Sequence, residues 1–297
     1  MTQPRVLCYG EIDLDIYLNL DRLPTLNRAG NTRDEFENVG GAAANSAMWL
    51  ANWGIATRLL GHDLGDDRAG DTVRALLGAL EDLDTRYIAC HAGYRSPRCQ
   101  CLVTPDGERS FIMHWLDELR VTDLESQMLR GIEWLNLDMS GPLEPRLRAA
   151  RIAVERDIPV LINDIYAPDH ALLPYVDVLV ISASIVRSKA PGSEPLALAL
   201  RLQQAGDCHV IITDAAAPVT LLLRGGEMRQ IQPPPVTAVD TTGAGDTFKS
   251  GLLYGLLTDL PLPEAARWGC AAASLMCRFP GATRHLAGLD AVAACLP

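Results

Sequence analysis

Four short runs carry the reading of the fold: "IEWLNLD" (Ile132–Asp138), "IPVLIND" (Ile158–Asp164), "VDVLVIS" (Val176–Ser182) and "HVIITDA" (His209–Ala215). Each is a near-continuous apolar stretch of strand length, of the kind buried on both faces. Helical patterns such as "EPRLRAARIAVERD" (Glu144–Asp157) and "EPLALALRLQQAG" (Glu194–Gly206) stand between them. Strands that alternate with helices predict a parallel sheet with helices on both sides. The N-terminal third reads the same way. "RVLCYG" (Arg5–Gly10) and "ATRLLG" (Ala56–Gly61) are strands, and "AANSAMWLANWG" (Ala43–Gly54) is a helix closed by Gly54. "AGDTVRALLGAL" (Ala69–Leu80) is a second helix.

Two regions break this alternation. "LDIYLNLDRLP" (Leu14–Pro24) with "NTRDEFENVGG" (Asn31–Gly41), and "SPRCQCLVTPDGERSFIMHW" (Ser96–Trp115), carry strand patterns of period two with little helix. Asp106-Gly107 is a hairpin signal. The two excursions, about 15–38 and 93–115, predict one small antiparallel sheet. Such a sheet beside an α/β core is a candidate lid over a ligand cleft. With no internal repeat, linker or low-complexity stretch, residues 1–297 read as one domain.

The chain has 297 residues, 48% of them hydrophobic, which suits a globular protein with a sizeable core. A net charge of −11 argues against nucleic-acid binding, which needs a basic face. No run approaches the ~20 apolar residues of a membrane span, and the start lacks the pattern of a signal peptide. The eight cysteines form no CxxC pair and mostly sit in apolar contexts. Reduced structural thiols of a cytoplasmic protein are expected.

The chemistry centres on "VDTTGAGDTFKSGLL" (Val239–Leu253). Apolar residues from Phe248 onward recur at helical spacing, so Gly243, Ala244 and Gly245 stand at a helix N-terminus. There the first amides lack intrahelical acceptors, and the dipole favours an anion. Asp246 beside that turn has the chemistry of a general base for an attacking hydroxyl, as phosphoryl transfer requires. Taken locally, a purely electrostatic helix cap explains Asp246 equally well. The motif is neither a Walker A loop nor a dinucleotide fingerprint. HExxH and GxSxG are also absent, against a zinc protease or a serine hydrolase.

With its flanks, "DTTGAGDTFKSGLL" resembles the C-terminal signature of the ribokinase-like (PfkB-type) carbohydrate kinases. "GEIDLDIYLNLDRLP" resembles that family's opening strand and lid entry, and "VGGAAANSAMWLANWG" its di-glycine substrate segment. "GHDLGDDRAGDTVRALL" follows in the family's order, so the likeness spans nearly the whole chain. It implies a three-layer α/β/α core with a mostly parallel sheet and a β lid. It implies transfer of the ATP γ-phosphoryl to a sugar or nucleoside hydroxyl with Mg²⁺. Asp246 then becomes the base, and Gly243, Ala244 and Gly245 the anion hole. Asp13, Asp15, Gly40, Gly41 and Asn45 match substrate positions, although Asp13 and Asp15 also read as solvated strand-end charges. Asp138, at a strand's carboxyl end, is a further substrate candidate or a plain loop aspartate.

Thr213, Lys249 and Gly281 fall on the nucleotide side, Gly281 within "CRFPGA" (Cys277–Ala282). The resemblance also implies a monovalent cation such as K⁺ beside Asp240 and Thr242, and no metal ligand set is identified. Two stretches depart from the family. "SASI" (Ser182–Ile185) stands in place of an NxxE motif, and "TDAAAPVT" (Thr213–Thr220) has alanines and a proline where glycines are usual. Asp214 adds charge where a polyphosphate would lie. Lys249, usually a neutral position, offsets that charge, recognises an anion, or is simply solvated. The leading expectation is a sugar kinase, with a nucleoside kinase and a non-catalytic sugar-binding protein of the same fold as alternatives. A homodimer through the lid edges is expected, with no nucleic-acid or membrane partner.

Overall fold

In the computed structural model, which describes residues 3–105, 109–115, 118–189 and 192–296, the chain leaves the central sheet early and returns to it. Strand β1 (Val6–Gly10) runs into β2 (Asp13–Leu20) and β3 (Thr32–Gly40), and helix α1 (Ala42–Asn52) follows at once. Next come β4 (Thr57–Gly61), β5 (Leu64–Gly65), α2 (Arg68–Leu77), β6 (Leu83–Asp84), β7 (Cys90–His91), β8 (Arg98–Val103) and β9 (Arg109–His114). The second half holds β10 (Trp134–Leu137), α3 (Leu143–Val154), β11 (Val160–Asn163), β12 (Val178–Ser182), α4 (Ala183–Lys189) and α5 (Pro195–Gly206). It ends with β13 (His209–Thr213), β14 (Val219–Leu222), β15 (Met228–Ile231), α6 (Ala244–Leu257), α7 (Leu262–Met276) and α8 (Leu289–Ala293).

Nine strands form the main sheet in the order β15-β14-β13-β12-β11-β10-β1-β4-β6. From β13 to β6 every pair is parallel, and β14 and β15 add an antiparallel edge that the apolar runs did not announce. Side chains alternate along β1 and so divide the core. Val6 and Cys8 pack with residues of α1, α6 and α7, whereas Leu7 and Tyr9 pack with residues of α3 and α5. Helices therefore cover both faces, and the three-layer α/β/α architecture holds.

The second sheet has the order β3-β2-β8-β9. Its outer pairs are antiparallel and its central β2–β8 pair is parallel. Tyr17 stacks on Phe36 with ring centroids 4.5 Å apart and joins Cys99 and Cys101 in a small apolar cluster. The Asp106-Gly107 hairpin signal lies outside the described residues, while the strands it was expected to join do pair. Since β2 begins just past the carboxyl end of β1, the lid stands over the carboxyl edge of the sheet. That edge is where open α/β sheets place their ligands.

Candidate active site

Helix α6 begins at this edge. Gly243 is its N-cap with φ 77°, and a Cβ there would lie 2.4 Å from Ala282 Cβ, so only glycine fits. A Cβ on Gly245 would meet nothing within 4 Å, which leaves open space before the first turn. The Ala244 amide is not free, because it donates to Thr241 O at 3.2 Å.

Asp246 projects from that first turn. Its Oδ2 accepts from Asn45 Nδ2 of α1 at 3.0 Å, and its Oδ1 lies 3.3 Å from Lys249 Nζ. Lys249 also donates to Asn163 Oδ1, at the end of β11, at 2.7 Å. Its side chain is 1% exposed, so it is an interior cation and not a solvated one. Burial raises the Asp246 pKa above its ordinary value, and Lys249 followed by Asn45 pulls it back.

The lid entry faces this cluster. A Cβ on Gly40 would lie 2.3 Å from Asp13 Oδ1 and 2.4 Å from Asp15 Cγ, so these carboxylates converge above a position that must stay small. Gly41, with φ 96°, lets α1 start hard against the Glu11 carbonyl. Three atoms here are buried without a hydrogen-bond partner among the described residues: Asp13 Oδ1, Asn38 Nδ2 and Asn45 Oδ1. Burial, then the neighbouring Asp15 and Glu11, hold the Asp13 pKa well above the usual carboxylate range. Burial pushes Asp15 to about 7 against hydrogen bonds from Cys101 and Cys99. Glu11 is also pushed to about 7, first by burial and then by Asp138.

Asp138 is differently placed. Its Oδ2 accepts from the Glu11 and Ala43 amides at 2.6 and 3.1 Å, and its Oδ1 from Ser140 N and Arg146 Nη2, both at 3.0 Å. Arg146 and Asp138 are each 1% exposed. This carboxylate ties β1, α1 and α3 together at the cleft floor, and its acceptor sites are already occupied by protein donors.

On the other side, Thr213 ends β13 opposite Ser182, and its Oγ1 donates to Ile181 O at 3.4 Å. Asp214 makes a two-pronged ion pair with Arg187 of α4 at 3.0 and 2.7 Å, so its charge does not stand alone. Ala215 takes φ 48°, a left-handed conformation that favours glycine. Gly281 does not point a free amide outward, since it donates to Asp240 Oδ2 at 2.8 Å. Asp240 Oδ1 accepts from Thr242 N and Oγ1 at 2.8 and 2.7 Å and lies 3.4 Å from Arg109 Nη1 of β9. A guanidinium and three other donors thus engage this carboxylate.

Asp246, Asn45, Lys249, Asp13, Asp15, Gly40 and Gly41 thus border one cleft with the Gly243–Gly245 turn. Thr213 is tied to Ile181 and Ser182, and Gly281 to Asp240. Sequence reading missed Glu11, Asn38, Asn163, Arg109 and Arg146. Glu11 and Asn38 stand inside stretches already singled out. Asn163, Arg109 and Arg146 reach their partners from 86, 131 and 8 residues away, and only the fold supplies two of those meetings.

The model of the pfkB family of carbohydrate kinases matches residues 3–287. A ribokinase of Haemophilus influenzae is 29% identical over 255 residues, 82% of this chain and 82% of that protein. An ATP-dependent ribose-1-phosphate kinase of Halopiger xanaduensis is 27% identical, covering 98% of each chain. Among solved structures, Arabidopsis thaliana ribokinase complexed with ribose and ATP superposes with a TM-score of 0.84. Identity there is 21%, over 99% of this chain and 98% of that one.

Proposed function

We propose that this chain, which belongs to the pfkB family of carbohydrate kinases, moves the γ-phosphoryl of ATP to a hydroxyl of a neutral sugar, with Asp246 as the base. The observation that carries this reading is a set of three buried, unpartnered polar atoms on the elements around Asp246: Asn45 Oδ1 on the residue that hydrogen-bonds it, Asp13 Oδ1 over Gly40, and Asn38 Nδ2 on the strand position paired with Asp15. A buried donor or acceptor left unpaired costs about 1–3 kcal/mol, and a polyol satisfies donors and acceptors together. Asp13, Asp15 and Glu11, whose pKa values burial raises, suit sugar hydroxyls, because a carboxyl group accepts from a hydroxyl when ionised and also donates to one when protonated.

In this reading Asp15 and Asn45 orient the sugar so that one hydroxyl meets Asp246. Asp246 accepts its proton as the oxygen attacks, and Lys249 keeps that carboxylate charged. The α6 N-terminus stabilises negative charge on the phosphoryl oxygens. Mg²⁺ supplies charge neutralisation on the nucleotide phosphates. Among the described residues no set of three acidic ligands gathers on the nucleotide side. That suits an ion held largely by phosphates and water. Lid closure over the cleft excludes water. The intact Asp246–Asn45–Lys249 arrangement supports an enzyme over a non-catalytic binder. Strand β9 is a sheet edge with Phe111, Ile112 and Met113 exposed, which supports pairing of two lids in a homodimer.

A thermal-shift screen of neutral sugars with ATP and Mg²⁺ identifies the substrate. Asp246→Asn should then keep the sugar-induced stabilisation while phosphoryl transfer slows by roughly 10²–10⁴-fold. Turnover near the wild-type rate would remove Asp246 as the base.

A further inference from the structure

One cluster in the lid lies outside the phosphoryl-transfer machinery. Cys99 and Cys101 occupy alternate positions of β8, so their thiols share one face, and Asp15 of β2 stands in register with Cys99. One ligand atom from each, two Sγ and a carboxylate oxygen, lie within 4.8 Å of one another, and all three residues are buried. The two Sγ atoms are 3.7 Å apart. Two thiolates on one tetrahedral Zn²⁺, each at about 2.3 Å, would be about 3.8 Å apart. The strand pair therefore already holds the sulfurs at the edge length of that tetrahedron. Asp13, two positions along β2 on the same face, has Oδ1 buried and unpartnered among the described residues. It faces Asp15 across Gly40 and offers a further oxygen.

We propose that Asp15, Cys99 and Cys101 bind a thiophilic divalent cation, Zn²⁺ in particular, and that its occupancy excludes the sugar from Asp15. The exclusion rests on the assignment of Asp15 to the sugar; the cation site does not. Soft sulfur ligands select Zn²⁺ over Mg²⁺, so the ion that accompanies ATP does not fill the site. Binding replaces two thiol protons with one cation and releases both protons to solvent. Because the ligands bind as thiolates, affinity rises with pH.

The test adds Co²⁺ to the reduced, metal-free protein and reads thiolate-to-cobalt charge-transfer absorption. One Co²⁺ per chain should bind with that absorption and be displaced by Zn²⁺. Cys99→Ser and Cys101→Ser should each abolish it, whereas Cys90→Ser, at an exposed thiol, should not. Zn²⁺ should raise the sugar KM in proportion to its concentration and leave kcat unchanged, reversibly with a chelator. Asp246→Asn should keep the cobalt spectrum while losing turnover, so a failed site and a failed base are told apart. Absence of thiolate absorption in the wild type overturns the site, as does a band that persists in both lid variants. A fall in kcat at constant KM overturns the competition.

Discussion

Lys249→Met removes a buried charge and keeps most of the side-chain volume. In the wild type the ammonium lies 3.3 Å from Asp246 Oδ1 and 2.7 Å from Asn163 Oδ1. Burial raises the Asp246 pKa, and Lys249 is the largest influence acting against it. An opposite charge at such range lowers a carboxylate pKa by about 1–3 units. Its loss should raise Asp246 by that amount, or about 1.4–4 kcal/mol at about 1.4 kcal/mol per unit. Only the deprotonated carboxylate accepts the hydroxyl proton, so kcat falls as pH drops through the Asp246 pKa. The acidic limb of the kcat–pH profile should therefore move up by about 1–3 units. Near neutral pH the variant is slow, and it approaches the wild-type rate in alkali. The assay is ADP release at saturating sugar across the pH range. Methionine also leaves Asn163 Oδ1 without its donor, which should cost about 1–3 kcal/mol of stability, measured separately by thermal unfolding. Lys249→Arg keeps the charge and should restore the limb. A limb that stays in place while the rate falls evenly at every pH would refute the electrostatic role.

Two further expectations concern the lid. Asp15 has a folded pKa of about 7 against an ordinary value of 3.8, so the folded state binds its proton more tightly than the unfolded chain. The stability this contributes is complete below the unfolded value and is lost as pH rises through about 7. Asp15→Asn mimics the protonated form and should gain stability relative to wild type between pH 5 and pH 8, by on the order of a few kcal/mol. Denaturant unfolding of the ligand-free protein at both pH values decides it, and an unchanged difference would sink the assignment. Ile112→Lys places a charge on the exposed edge strand β9 and should convert a lid-paired dimer to monomer in light scattering. A wild-type protein that is already monomeric at micromolar concentration would end that reading.

Local sequence was enough to determine the main parallel strands, the helices between them and the position of the reactive turn, but not the antiparallel edge strands β14 and β15. The runs ending at Asp138, Asp164, Ser182 and Ala215 became parallel strands because continuous apolar stretches need cover on both faces, and helices were available between them. Gly243 was legible because a helix start that turns through φ 77° against Ala282 accepts little else. The partners of the charges were decided only by the tertiary structure. Asp138 read as a substrate residue or a plain loop aspartate, and folding engages it with Arg146 and three backbone amides. Asp214 read as an unopposed charge, yet α4 brings Arg187 to it. Lys249 read as a charge offset, an anion binder or a solvated residue, and α6 turns it inward onto Asp246 and Asn163. Periodicity is a property of neighbours in the chain, so it fixes which face is apolar. Pairing of a buried charge depends on residues tens to hundreds of positions away, and burial strengthens the interaction once the fold has chosen the partner.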